Sequence, residues 1–177
     1  IGIGNNWKDI AINSTTKQIY CITDTDIYIS EDSQPFTLLL HTDKLLSSIA
    51  VSKNGRILIS EKHGDIFELN NLVLTSLLQP VNYWTKLTID NETNDVFSTI
   101  DNGSVFKQTS GVGAFKSLEQ ENAHRTGISV NEVTKELFST VMNGDIYKGN
   151  QRVNTLDISP NQIKSSSNYG TTKEIYP

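Results

Sequence analysis

Apolar residues recur along this chain in short alternating runs separated by polar turns, and the runs come round at a fixed interval. The clearest copy is Thr15-Thr16-Lys17-Gln18-Ile19-Tyr20, a polar turn leading into an apolar strand. Thr134-Lys135-Glu136-Leu137-Phe138 is a close copy and Thr93-Asn94-Asp95-Val96-Phe97 a looser one. Asn54-Gly55-Arg56-Ile57-Leu58 makes the same step with a tighter turn, and Thr171-Thr172-Lys173-Glu174-Ile175-Tyr176 nearly duplicates the first. The motifs end at Tyr20, Leu58, Phe97, Phe138 and Tyr176, in steps of 38, 39, 41 and 38 residues. A period of this size marks a propeller, a solenoid or an array.

Each repeat reads as four short strands. The first alternates, with Ile10 and Ile12, Ile49 and Val51, Leu87 and Ile89, and Ile128 and Val130 at every second position. Period two places each pair on one face, expected to be buried. Asn, Asp, Ser and Gly fill the turns that follow, because they tolerate left-handed backbone or bond their own chain. The motif itself is the second strand. A tight hairpin comes next, and Asn102-Gly103 and Asn143-Gly144 are strong hairpin signals, since both residues accept positive φ. The third strand pairs an aliphatic residue with an aromatic one at Ile27-Tyr28, Ile66-Phe67, Val105-Phe106 and Ile146-Tyr147. A less regular fourth strand is expected at Phe36–Leu40, Leu72–Leu78, Phe115–Leu118 and Val153–Leu156. Ser110-Gly111-Val112-Gly113, before the third of these, reads as the most flexible loop.

Four antiparallel strands in every 38 to 41 residues, without helical periodicity, predict an all-β fold with one propeller blade per repeat. The repeats fall at about 7–44, 45–82, 83–124 and 125–160, with a partial fifth at 161–177. The fifth copy stops in mid-blade, so the chain is expected to be part of a ring of five to seven blades. The alternative is closure on four blades with the tail wrapping elsewhere; a half-blade leaves a bare sheet edge, through which pairing with another chain is also expected.

Composition narrows the partners. The 177 residues carry a net charge of −5 spread along the chain, with no basic stripe, which argues against nucleic acid. No run approaches the ~18 apolar residues of a membrane span. Cys21 is the only cysteine, so no disulfide forms within the chain. The sequons at Asn13, Asn91 and Asn102 are candidate glycosylation sites and favour a secreted location. No signal peptide is expected within the chain, which opens on Ile1-Gly2-Ile3 without a charged segment before it.

Candidate chemistry is sparse. His41, His63 and His124 fall at different points of their repeats and read as solvated loop residues. Asp24, Asp26, Asp65, Asp101 and Asp145 recur at the second hairpin, where a propeller would gather them on one rim. That rim would attract a cation or a basic partner, although Asp is also plain hairpin chemistry. Trp7, Tyr83 and Trp84 are the candidate ligand-binding aromatics, because they occur in only some repeats. Tyr20, Phe97, Phe138 and Tyr28, Phe67, Phe106, Tyr147 recur at fixed positions and read as packing between blades. No catalytic or cofactor motif is present, and no metal ligand or cofactor is assigned.

The stretch Ile49-Ala50-Val51-Ser52-Lys53-Asn54-Gly55-Arg56-Ile57-Leu58-Ile59-Ser60, with Gly64-Asp65-Ile66-Phe67, resembles the NHL and SMP-30-like propellers. It is also similar to insect ommochrome-binding proteins, a resemblance that implies a bound pigment. The SMP-30 enzymes imply a divalent metal at the channel, but their ligands find no matching positions here. Ile3-Gly4-Asn5-Asn6-Trp7, followed by Ile19-Tyr20 and Ile27-Tyr28, resembles tectonin and tachylectin-type propeller lectins, with Trp84 as the second tryptophan. Ser30-Glu31-Asp32-Ser33-Gln34-Pro35-Phe36-Thr37 resembles a degraded Asp-box, a structural turn. The leading expectation is a non-enzymatic binding module that holds a small molecule or a protein through loops at one face or in the channel. The alternatives are a carbohydrate-binding lectin and an SMP-30-like metal-dependent hydrolase.

Overall fold

The computed structural model describes residues 6–31, 34–142 and 144–153. Sixteen strands form four separate four-stranded antiparallel sheets, each built from consecutive strands. Blade 1 holds β1 (Asp9–Ile12), β2 (Ile19–Ile22), β3 (Asp26–Ser30) and β4 (Thr37–His41). Blade 2 holds β5 (Leu46–Val51), β6 (Ile57–Glu61), β7 (Ile66–Asn70) and β8 (Val73–Ser76). Blade 3 holds β9 (Trp84–Ile89), β10 (Val96–Ile100), β11 (Val105–Gln108) and β12 (Lys116–Ser117). Blade 4 holds β13 (Arg125–Val130), β14 (Leu137–Val141), β15 (Ile146–Lys148) and β16 (Gln151–Arg152). This is the propeller arrangement that the repeat implied. The innermost strands β1, β5, β9 and β13 stand side by side and hold the blades together.

The outermost strands depart from expectation. In blade 4 the strand expected at Val153–Leu156 is β16, earlier in the chain, because Gly149 (φ 56°) turns the backbone directly after β15. Residues 154–156 and the fifth copy at 161–177 lie outside the described residues, as does part of the Asp-box-like stretch. The loop over Ser110–Gly113 is held rather than free. Ser110 N–H donates to Asp95 Oδ1 (2.8 Å), and Gly113 C=O accepts from the buried amides of Gln79 (3.2 Å) and Gln108 (2.6 Å).

Local sequence explains the repeated turn between the first two strands of a blade. The side-chain oxygen of Asn13 accepts the N–H groups of Thr15 and Thr16, that of Asp90 those of Glu92 and Thr93, and that of Asn131 those of Val133 and Thr134. Lys17, Asn94 and Lys135 then take positive φ (60° to 64°), and Gly55 fills the same role at 86°. Side-chain capping of the turn is what lets a lysine occupy a left-handed position.

A second recurring device lies at the start of the innermost strand. In blades 2, 3 and 4 the register slips by one residue, leaving Ser47, Thr85 and Thr126 as the bulged residues. Each hydroxyl meets a hydroxyl on the neighbouring strand: Ser47 with Ser60 (2.8 Å), Thr85 with Thr99 (2.7 Å), Thr126 with Thr140 (3.1 Å). Bulges re-aim the adjacent side chain, and the residues before these three, Leu46, Trp84 and Arg125, all turn into the core.

The core lies between blades. Tyr20, Ile22 and Ile27 of blade 1 pack against Leu46, Ile49 and Val51 of blade 2. Ala50, Leu58 and Ile66 of blade 2 pack against Trp84, Leu87 and Ile89 of blade 3. The alternating pairs of blades 2 and 3 are therefore buried, as expected. The pair in blade 1 is not: Ile10 and Ile12 are 60% and 56% exposed, against 2% for Ile49 and 6% for Leu87. Their face is the one that a preceding blade covers elsewhere in the molecule, and among the described residues no blade lies there. In blade 4, Ile128 and Val130 are half-buried.

Candidate functional site

Antiparallel topology sends the second-to-third-strand hairpins and the connections between blades to the same end of the structure. That end gathers Asp24, Asp26, Asp65, Asp101 and Asp145 on the hairpins with all three histidines. The histidines stay on separate blades, and two of them are tied to rim carboxylates. His41 Nδ1 lies 2.6 Å from Asp26 Oδ1, and His124 Nδ1 lies 2.7 Å from Asp101 Oδ1. His63 packs edge-on against Tyr83 at 4.2 Å between ring centres. Asp24 pairs with Lys8 (3.0 Å) and Asp145 with Arg152 (2.7 Å). Asp65 is a structural clasp, accepting the N–H groups of Ile66 (2.6 Å) and Gln79 (2.8 Å) and the hydroxyl of Ser76. The acidic rim exists as a location, with each of its five carboxylates held by a partner. No group of three His, Cys, Asp or Glu side chains with metal-binding geometry occurs among the described residues.

The three candidate aromatics separate. Tyr83 is exposed on the rim. Trp84 is 1% exposed, packed on Phe106 and Phe115 at 5.5 and 5.6 Å between ring centres. Its face is out of reach of a ligand, and it belongs to the core between blades 2 and 3. Trp7 occupies the same register position, three residues before the first apolar residue of the innermost strand, as do Leu46 and Arg125. It lies against Tyr28 (5.2 Å) and Phe36 (5.5 Å) and stays 39% exposed, because among the described residues no blade closes over it. The candidate glycosylation positions separate too. Asn13 is buried under its own turn, Asn91 donates its amide to Glu132 (2.5 Å), and Asn102 is exposed on its hairpin.

The hairpin face is more apolar than its aspartates suggested. Leu45 and Tyr83 hold the same place in successive blades, and their carbonyls accept the hairpin N–H groups of Lys62 (2.7 Å) and Asp101 (2.8 Å). With these backbones pinned, Leu45, Val81, Tyr83 and Met142 stand exposed at this end, which also carries the exposed Asp43, Lys62, Glu119 and Glu121.

A second feature is the channel between the innermost strands, a space of about 460 Å³. Asp9, Ser48, Lys86 and Gly127 occupy one register position in the four strands. Asp9 Oδ1 pairs with Lys86 Nζ at 3.2 Å, and Asp9 Oδ2 accepts the Ser48 hydroxyl and the Ile49 N–H. Ser48 Oγ in turn accepts the N–H of Leu87 (3.0 Å), so one polar chain links three blades. Asp9 and Lys86 were not among the expected site residues. Aligning the repeats would have marked them, as a charged position beside an apolar pair.

Arg125 was missed for a different reason. It fills the slot of Leu46 and Trp84, 3% exposed, and donates to Gly103 C=O (2.6 Å), Glu121 C=O (2.8 Å) and Ser139 Oγ (3.2 Å). Burial lowers its pKa, and neutral oxygens supply its partners. A charged residue in a slot otherwise apolar gives no periodic signal.

No family model and no curated protein matches the sequence. Solved structures do. A chain of a nidogen/laminin complex is similar with a TM-score of 0.71 at 15% identity, over 84% of this chain and 64% of that one. A gluconolactonase from Xanthomonas campestris gives 0.68 at 11%, over 84% and 61%. Virginiamycin B lyase from Staphylococcus aureus gives 0.60 at 14%, over 85% and 56%. This chain therefore spans less than two thirds of each of those chains. At such identities the likeness is one of fold, and the fold is that of a β-propeller, seen here as four consecutive blades.

Proposed function

We propose that this chain is a binding module that takes a protein partner on its hairpin face. The observation that carries the reading is the exposure of Leu45, Val81, Tyr83 and Met142 at that end. Aromatic and methionine side chains are enriched at the centres of protein interfaces, with charged residues around them. The carboxylates Asp43, Glu119 and Glu121 at the same end favour a partner with basic groups, which sets association rate and register more than affinity. The similarity to a chain of a nidogen/laminin complex adds support from a propeller found in a protein assembly.

The test is affinity capture from an extract of the source cells, with the wild-type chain and a Val81→Asp/Tyr83→Ala variant as paired baits. A partner held by this face is enriched by the wild type and lost by the variant, and its retention weakens as salt rises. Equal recovery on both baits would sink the reading.

The channel supports a second reading, a small polar molecule held beside Lys86. Asp9 is the only partner that Lys86 Nζ has among the described residues, and the space is of ligand size. Native mass spectrometry of the purified protein, with Lys86→Met as the control, reads this directly. The lectin alternative loses one of its two tryptophans to the core.

A further inference from the structure

The loop over Ser110–Gly113 borders a space of about 630 Å³ between the outer strands of blades 2 and 3. Arg56, Glu68 and Gln108 line it with polar groups, and Leu77, Leu78 and Val112 with apolar ones. Gln108 holds the strand position that Leu69 holds in blade 2, three residues after the aliphatic residue that opens the strand. Leu69 belongs to the core, and Gln108 is as deeply placed, at 2% exposed. Its Nε2 donates to Gly113 C=O (2.6 Å), which fixes the orientation of the amide and leaves Oε1 without a donor among the described residues. A buried acceptor left unpaired is destabilising. Gly113 C=O also has a second donor in Gln79 Nε2 (3.2 Å), so it does not depend on the glutamine. A ligand group that donates to Oε1 accounts for an amide in a place where blade 2 has leucine.

Arg56 supplies the opposite chemistry. Its Nε donates to Glu68 Oε2 (3.0 Å), and its two Nη groups have no acceptor among the described residues. The guanidinium lies against Gly111 (φ 66°), where a Cβ would collide with Nη1. Leu78 gives the apolar side. It stands at φ 54° with its N–H on Ser76 Oγ (2.9 Å), and it is 88% exposed. Blade 3 makes the same turn with Glu119, at φ 54° with its N–H on Ser117 Oγ (2.9 Å). The turn itself therefore does not call for an apolar residue, and Val112 beside the pocket is exposed as well.

We infer that this pocket binds an aliphatic amino acid, either free or acylated at its nitrogen as at the end of a peptide. The ligand nitrogen donates to Gln108 Oε1, its carboxylate accepts from the Arg56 Nη groups, and its side chain covers Leu78 and Val112. The mixture of groups selects this class. A bare anion has nothing to offer Oε1 and meets the carboxylate of Glu68 beside Arg56. A hydrocarbon has nothing for either polar group. A few placed polar groups beside apolar walls, in a space of this size, are what small-ligand sites consist of. The pocket shares no residue with the exposed group on the hairpin face or with the Asp9–Lys86 pair, so it stands independently of both readings of function.

The test is isothermal titration calorimetry of the full chain with leucine, N-acetylleucine and leucinamide, each in the L form and at millimolar concentration. Saturable binding of at least one of the two acids is expected. Leucine as the tighter ligand marks a free amino acid, and N-acetylleucine marks a peptide end. Leucinamide, which lacks the carboxylate, is expected to bind weaker by about tenfold or more. Arg56→Gln and Gln108→Met are each expected to weaken the acid by about tenfold, and Arg56→Lys to recover part of the loss. Circular dichroism confirms that each variant folds, and Gln108→Met leaves Gly113 C=O its bond from Gln79. Failure of both acids to bind the wild type overturns the proposal and leaves water as the group that meets Oε1. Leucinamide binding as tightly as the acids also overturns it, as does binding that survives Gln108→Met, since the polar groups of the pocket would then play no part.

Discussion

Blades 1 and 2 carry the same ridge in different surroundings. Ile49 and Val51 rest on Tyr20, Ile22 and Ile27, with Leu46 turned in beside them by a bulge. Ile10 and Ile12 rest on nothing described, and Trp7, at the position of Leu46, stays half-exposed. The hydroxyl bridge at the bulge is also missing in blade 1, where Lys8 and Ile22 stand in place of Ser47 and Ser60. A repeat in a propeller is therefore not a unit of stability. Its apolar pair gains free energy only when the neighbouring sheet removes it from water.

The comparison breaks most visibly at the two tryptophans. Trp84→Ala is expected to cost about 3–5 kcal/mol, the range for removing a buried large aromatic. Trp7→Ala at the same register is expected to cost about 1 kcal/mol or less, because much of its surface stays in water. Urea unfolding of the two variants measures the difference, and equal costs would mean that Trp7 is covered in solution. Trp84→Phe should cost less than the alanine change, since the indole N–H has no acceptor among the described residues and its loss is no penalty.

Arg125→Leu comes next. It places in blade 4 the residue that blade 2 has, but it removes the bonds to Gly103 C=O, Glu121 C=O and Ser139 Oγ. A loss of about 1–3 kcal/mol is expected, because buried Ser139 Oγ loses its donor, while Gly103 C=O keeps the Ala123 N–H (3.3 Å). A neutral result would show that the slot tolerates either chemistry. In that case the arginine would not be needed for the junction of blades 3 and 4.

Asp90→Asn sharpens the comparison between turns with the smallest effect. Asn13 and Asn131 cap the same turn without charge, so the N–H bonds should survive the change. Burial pushes the Asp90 carboxyl up, but the bonds from Glu92 N–H, Lys135 Nζ and Thr93 N–H outweigh it, and its pKa is lowered. A carboxyl whose folded-state pKa is depressed adds stability above its unfolded value, about 3.9, and loses it as pH falls through the folded value. Asp95 behaves alike: burial raises it, while Lys107 and the Ser110 N–H prevail and lower it. Asp90→Asn should cost at most about 1 kcal/mol at pH 7, since Lys135 is largely solvated. It should also shrink the further loss on going to pH 3. An unchanged acid slope would remove Asp90 from the account.

The sequence carried the strand order well, because the signals for it are local. Asn-Gly hairpins, capped turns and period-two alternation act within a few residues, and each recurs at a fixed interval. It also placed the aspartates and Tyr83 on hairpins and connections that topology then gathers at one end. Trp84, rare among the repeats and so a candidate for ligand contact or for core packing, lies in the core, because its slot takes any large side chain. Aligned repeats mark the shared position of Asp9 and Lys86, but not their pairing, because the two lie two blades apart.

Secondary structure, blade number within the described chain and turn chemistry were thus determined by the sequence alone. Burial was decided only by the tertiary structure. Ile10 and Ile49 are the same residue in the same local pattern, and one meets water while the other meets Tyr20. The difference is made by the sheet next door, which the local pattern of neither isoleucine encodes.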